Sequence, residues 1–172
     1  HTTNPTTSHT SYLSSLSAFT VMLLAAFAFS GNANAQLTWD DNGGDADNNW
    51  STALNWDTDT APVANDRLVF TAAATGETLI NDTTADTVYT LEIASGFDYN
   101  LTGNRITLGA TPTGSNDLLS NSTGDNTISL DVINGTNSDY RVNDGSLTMA
   151  GIVSGGAITN RGTGTLIFTN AD

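Results

Sequence analysis

"DGSLTMAGIVSGG" (Asp144–Gly156) is answered a few residues later by "GTGTLIFTNAD" (Gly162–Asp172). Each stretch passes from Gly through Ser or Thr to Leu and then alternates apolar with polar residues. An approximate echo of this kind is what stacked coils leave in a sequence, because each coil meets the same demands as its neighbour. The same texture continues outward in both directions. Short segments rich in Thr, Ile, Val, Leu and Tyr read as strands: "RLVF" (67–70), "TVYTLEI" (87–93), "DYNLT" (98–102), "RITLG" (105–109), "TISLDVI" (127–133), "DYRV" (139–142), "SLTMAG" (146–151), "GIVS" (151–154) and "TLIFT" (165–169). Alternation is clearest in Thr87–Ile93, where Tyr89, Leu91 and Ile93 form one stripe, and in Ile128–Val132. Beyond residue 36 no helical stripe is sustained and helix formers are scarce. The fold class is all-β.

Two all-β architectures compete. A β-sandwich needs hairpins, and "NDGS" (143–146) reads as a hairpin turn. A parallel β-helix is favoured by the short strands, by glycine-rich polar turns such as "GSNDLLSNSTGDN" (114–126), and by hydroxyl and amide residues that suit stacked ladders. At roughly 20–25 residues per coil, 63–172 makes about five rungs, of order 25 Å tall.

The first 35 residues contain no Asp, Glu, Lys or Arg, and Ala18–Phe29 is apolar apart from Thr20. As a helix that run spans about 18 Å, short of the roughly 30 Å of bilayer hydrocarbon. It is followed by "SGNANA", in which Ala33 and Ala35 give a small-x-small pattern. This reads as a secretory signal cleaved after Ala35, although a basic n-region is missing. The expected organisation is a leader over 1–35, an N-terminal cap over 36–62 and a solenoid over 63–172, with no membrane span after the leader.

All 18 acidic residues and all four arginines lie beyond residue 35, so that part carries the whole formal charge of −14 without a single lysine. Such a surface repels nucleic acid, whose binding rests on Lys and Arg at phosphates. Cysteine is absent, and the two histidines, His1 and His9, fall in the leader. That removes Ser-His-Asp and Cys-His nucleophiles, ordinary zinc sites and lysine Schiff bases. Carboxylate-pair hydrolysis and a calcium-dependent lyase stay open, with Asp131/Asp139 and Asp82/Asp86 as carboxylates better explained by solvated turns. No cofactor is expected.

"LTWDDNGGDADNNWSTALNW" (Leu37–Trp56) holds the strongest candidate site. Asp45, Asp47 and Asn49 have the 1-3-5 spacing of an EF-hand loop, but Trp50 and Trp56 stand where Gly and the bidentate Glu belong. Only weak calcium binding fits. Trp39, Trp50 and Trp56, with Asp45 and Asp47 beside them, also make a sugar-contact platform if the rings are exposed. The favoured reading is a lid, in which the three indoles and Leu54 cover the end of the solenoid core.

"GGAITNRGTGTLIFTN" (155–170) resembles the start of the autotransporter-associated β-strand repeat, with Gly155, Gly156, Gly162, Gly164, Thr165 and Leu166 on its pattern. "WSTALNW" (50–56), "AP" (61–62), "DRLVF" (66–70) and "ISLDVI" (128–133) resemble the segment that precedes the first such repeat. The resemblance implies a right-handed parallel β-helix in an exported bacterial surface or secreted protein, generally without catalysis. It also implies further repeats of the same chain, so that a sequence ending at Asp172 reads as the N-terminal portion of a longer passenger. The expected role is a structural, adhesin-like passenger segment whose partners are surface glycans or matrix. A carbohydrate-binding module or a β-helix polysaccharide-active enzyme is the alternative.

Overall fold

The computed structural model describes residues 35–41, 47–71, 78–94, 98–109, 117–120 and 124–170. All of them belong to one compact unit, Asn34–Asp172, which contains every described core residue. The expected leader lies outside the described residues apart from Ala35, and so does Asp45.

The described chain runs through β1 (Gln36–Trp39), a turn of 3-10 helix (Ala53–Asn55), β2 (Arg67–Phe70), β3 (Thr78–Asn81), β4 (Thr87–Ile93), β5 (Asn100–Gly103), β6 (Ile106–Leu108), β7 (Asp117–Ser120), β8 (Asp125–Ile128), β9 (Val132–Val142), β10 (Ser146–Met149), β11 (Val153–Asn160) and β12 (Thr165–Phe168). One sheet has the order β1-β2-β4-β6-β9-β11, with β7 paired to β4 and β9; the other has the order β12-β10-β8-β5-β3. Every pairing between these strands is parallel. The chain is a β-solenoid, with coils stacked one on the next and contributing strands to both sheets. A sandwich of hairpins is excluded. "NDGS" is accordingly a corner between β9 in one sheet and β10 in the other, with Gly145 at φ 70°.

The echo in the sequence is the stacking register itself. Ser146, Leu147, Thr148 and Met149 lie on Thr165, Leu166, Ile167 and Phe168. One register column of the second sheet runs Leu79, Leu101, Ile128, Met149, Phe168, and its first four members are fully buried. In the first sheet Leu37, Leu68 and Leu91 form another column, which continues through Leu118 to Tyr140. Each fully buried side chain of these columns contributes roughly 1.5–3 kcal/mol. Parallel stacking repeats that contribution at every rung.

Two expected segments divide differently. "TISLDVI" is interrupted at a corner, where the Ser129 and Leu130 N–H groups both donate to the Leu101 carbonyl at 2.7 and 3.1 Å. Ile128, Leu130 and Val132 all remain buried, so the inward alternation passes through the bend and conceals it. The polar stretch 114–126 contains β7, which shares one rung level with β6. The first half of β4 pairs with β6 and its second half with β7, and β9 divides in the same way.

The corners are fastened by amides and carboxylates. Buried Asn81 donates to the Asn104 carbonyl at 2.7 Å, and buried Asn126 accepts the Tyr99 N–H at 3.0 Å. Glycine is required where coils touch: Gly155 has φ 96°, and a Cβ there would lie 2.4 Å from the Asn134 carbonyl oxygen of the preceding coil. That explains one glycine of the repeat-like motif by contact rather than by flexibility.

Candidate functional site

The Trp segment closes both sheets at their N-terminal edge. On the first sheet, β1 has an open edge away from β2. The Asp57 N–H donates to the Thr38 carbonyl at 2.9 Å, the Asp57 carboxylate accepts the Thr38 N–H at 3.0 Å, and the Asp40 N–H donates to the Asn55 carbonyl at 3.1 Å. On the second sheet, β3 is the terminal strand. Its Ile80 N–H donates to the Asn48 carbonyl at 2.8 Å, and the Trp50 N–H donates to the Ile80 carbonyl at 2.9 Å. Edge groups that would template association are therefore paired.

The three tryptophans lie beneath this closure. Trp39 is 1% exposed, and Trp50 and Trp56 are fully buried. Phe70 at the end of β2 is their hub, with ring centroids 6.3, 5.5 and 5.9 Å from Trp39, Trp50 and Trp56. Trp39 meets Trp56 edge-on at 5.2 Å, and Trp50 meets Tyr89 edge-on at 6.1 Å, both favoured arrangements for aromatic quadrupoles. The Trp56 Nε1–H donates to the Trp50 carbonyl at 2.9 Å, whereas the buried Trp39 and Trp50 indole nitrogens have no hydrogen-bond partner. Leaving such a donor unpaired costs about 1–3 kcal/mol, so these two rings serve for their apolar area.

This geometry corrects the sugar-contact reading of Trp39, Trp50 and Trp56, because no ring face is open to a pyranose. It also corrects the place of Leu54, which is 54% exposed and covers no core. Phe70 was missed as the centre of the cluster. Its signal was present in "RLVF", a strand of consecutive apolar residues at the start of the solenoid.

Asp47 acts within the turn that carries Trp50. Its carboxylate accepts the Asn49 N–H at 3.0 Å and the Thr52 hydroxyl at 2.9 and 3.0 Å. The Asn49 backbone bond, with the Thr52 hydroxyl next, holds this carboxyl below its ordinary range. Asn55 completes the turn by donating to the Asp47 and Asn49 carbonyls at 2.9 and 3.1 Å. Asp47 is thus an N–H and O–H acceptor, and Asp45, its partner in the calcium reading, lies outside the described residues. Among the described residues no group of three His, Cys, Asp or Glu is arranged to hold a metal ion.

The other acidic residues considered as catalytic carboxylates join successive coils. Asp82 accepts the Ser51 N–H at 2.8 Å, and Asp131 accepts the Ile152 N–H at 2.8 Å. Asp86 pairs with Arg105, which donates from Nη2 at 2.9 Å, and Asp139 pairs with Arg161 at 2.6 Å. The Arg105 hydrogen bonds hold the Asp86 carboxyl below its ordinary range. Arg67 pairs with Glu92 across β2 and β4. A further role went unread in the sequence: buried Asp66 accepts the Ala35 N–H at 2.9 Å and the Val63 N–H at 2.8 Å. Ala35, the last residue of the expected leader, also accepts the Arg67 N–H at 2.8 Å, so cleavage after it removes two contacts from the first coil.

No family model, no curated protein and no solved structure matches the chain.

Proposed function

We propose that the chain is a non-catalytic structural segment of an exported bacterial surface or secreted protein, a coil stack that acts as a passenger scaffold. One observation carries this reading. Three of the four arginines and the carboxylates Asp82, Asp86, Glu92, Asp131 and Asp139 are used to fasten one part of the stack to the next, as in Asp82–Ser51, Asp131–Ile152, Asp86–Arg105, Asp139–Arg161 and Arg67–Glu92. The burial of Trp39, Trp50 and Trp56 favours the scaffold over a glycan-binding module built on those rings. The leader-like run Ala18–Phe29 and the repeat-like motif at 155–170 supply the export part of the proposal.

Expression of the full sequence in a bacterial host tests both halves. The expected product is found outside the cytoplasm with Gln36 as its first residue, and it leaves neutral and acidic polysaccharides uncleaved with or without calcium. Retention in the cytoplasm with residues 1–35 attached would overturn the export half. New reducing or unsaturated sugar ends would overturn the non-catalytic half.

A further inference from the structure

Among the described residues Asp66 is the only buried acid, at 3% exposure. One carboxylate oxygen accepts the Val63 N–H at 2.8 Å and the other the Ala35 N–H at 2.9 Å. The described ion pairs, Arg67–Glu92, Arg105–Asp86 and Arg161–Asp139, leave it out. A carboxylate withdrawn from water is ordinarily matched by a cation. Here both partners are neutral, and one of them belongs to the residue at which the leader is expected to end.

Export as proposed cuts the chain after Ala35, and the site described next depends on that cut. Hydrolysis of the Ala35–Gln36 bond gives the hydroxyl of water to the Ala35 carbonyl and leaves the Gln36 nitrogen as an α-ammonium group. The departing Ala35 takes its N–H away from Asp66 Oδ1. The new cation starts close by. The Ala35 and Gln36 nitrogens are separated by three backbone bonds, about 3–4 Å, and the Ala35 nitrogen lies 2.9 Å from Oδ1. β1 keeps its place, because Gln36, Leu37, Thr38 and Trp39 are in register with Arg67, Leu68, Val69 and Phe70. Rotation about the Gln36 Cα–C bond then turns the terminus into the space that Ala35 vacates.

The geometry points to Asp66 as the receptor of the α-ammonium group of Gln36. A charged donor replaces the lost neutral one in a stronger hydrogen bond, so the cut exchanges one tie to Asp66 for another. The pair also fixes the chemistry of the terminus. A free N-terminal glutamine closes on itself: the amine attacks the side-chain Cδ, ammonia leaves and a neutral lactam remains. That attack needs the amine lone pair, which a proton occupies as long as Asp66 holds the ammonium form. Gln36 is thereby kept as an open, charged terminus.

The chain has no lysine, so its terminus is its only amine. A precursor cut in vitro to begin at Gln36 supplies that terminus whether or not cells export the protein, which keeps a failed export reading apart from a failed site. An amine-reactive acetylating ester, followed by mass, should modify the folded chain roughly tenfold more slowly than the same chain in guanidinium chloride. Asp66→Asn, checked to be folded by its tryptophan emission, should label at close to the unfolded rate. Asp57→Asn, which alters the carboxylate that accepts the Thr38 N–H of β1, should label as slowly as the parent. Loss of ammonia should be slow in the parent and fast in Asp66→Asn. Acetylation of the terminus should also lower the denaturant midpoint of the parent, a result that needs no variant to fold. Equal labelling of folded and unfolded chains, a slow Asp66→Asn, a fast Asp57→Asn, or a midpoint that acetylation leaves unchanged or raises would each overturn the assignment.

Discussion

Phe70 and the three tryptophans around it show what a single side chain does at the end of a coil stack. A parallel solenoid leaves the cross-section of its core open at each end, and large rings cover more of it than aliphatic side chains do. Trp50 touches both Phe70 and Tyr89, which lie on consecutive rungs of the first sheet. Trp50→Ala should therefore cost about 3–5 kcal/mol of unfolding free energy, read from the denaturant midpoint. Soluble oligosaccharides should leave the tryptophan emission of the parent chain unchanged, because its rings are buried. Gly103 makes a second prediction at this scale. It has φ 102°, and an added Cβ would lie 2.3 Å from the Asn81 carbonyl oxygen. Gly103→Ala should destabilise the chain by at least about 1–3 kcal/mol through backbone strain alone, with the loss measured by urea unfolding. A loss of only a few tenths would mean the two coils are not in contact there.

Among the elements, the turn that carries Trp50 and the corner held by Arg105 each depend on an ionised carboxylate. Asp47 and Asp86 both have folded-state values lowered from 3.8, the first mainly by the Asn49 N–H and the second mainly by Arg105. A lowered value means that the stabilisation is fully present above the unfolded value and is lost as pH falls through the folded one. Stability should decline below pH 3.8, and Asp47→Asn and Asp86→Asn should each flatten that decline, measured as midpoint against pH. The elements were also where sequence reading worked best. β2 and β4 coincide with the expected "RLVF" and "TVYTLEI", because short runs of β-branched, aromatic and aliphatic residues between polar turns have few other solutions. β1 and β3 were missed, since QLTW and TLIN are only four residues long and each holds just two apolar residues, too few to stand out from the polar stretches that flank them. The lid was legible as a function of the Trp segment. So were its three indoles, but Leu54 and Phe70 were not, because exposure depends on which residues the bend turns inward: Leu54 points out while Phe70, from another strand, fills the centre.

For the molecule as a whole, the central claim is that the coils stack in parallel and in register. Paired interior columns, carboxylates that reach from coil to coil and a closed N-terminal end all follow from it. The chain has no cysteine, which permits a clean crosslinking test. Thr127 and Thr148 are register partners on neighbouring strands, and both are half-buried on the outer side of the second sheet. Neighbouring strands lie about 4.8 Å apart, within the span a disulfide bridges. The double variant Thr127→Cys/Thr148→Cys should oxidise readily to an intramolecular disulfide, detected by the mass and by faster migration of the oxidised chain. A folded double variant that stays reduced under oxidising conditions would contradict the stacked register.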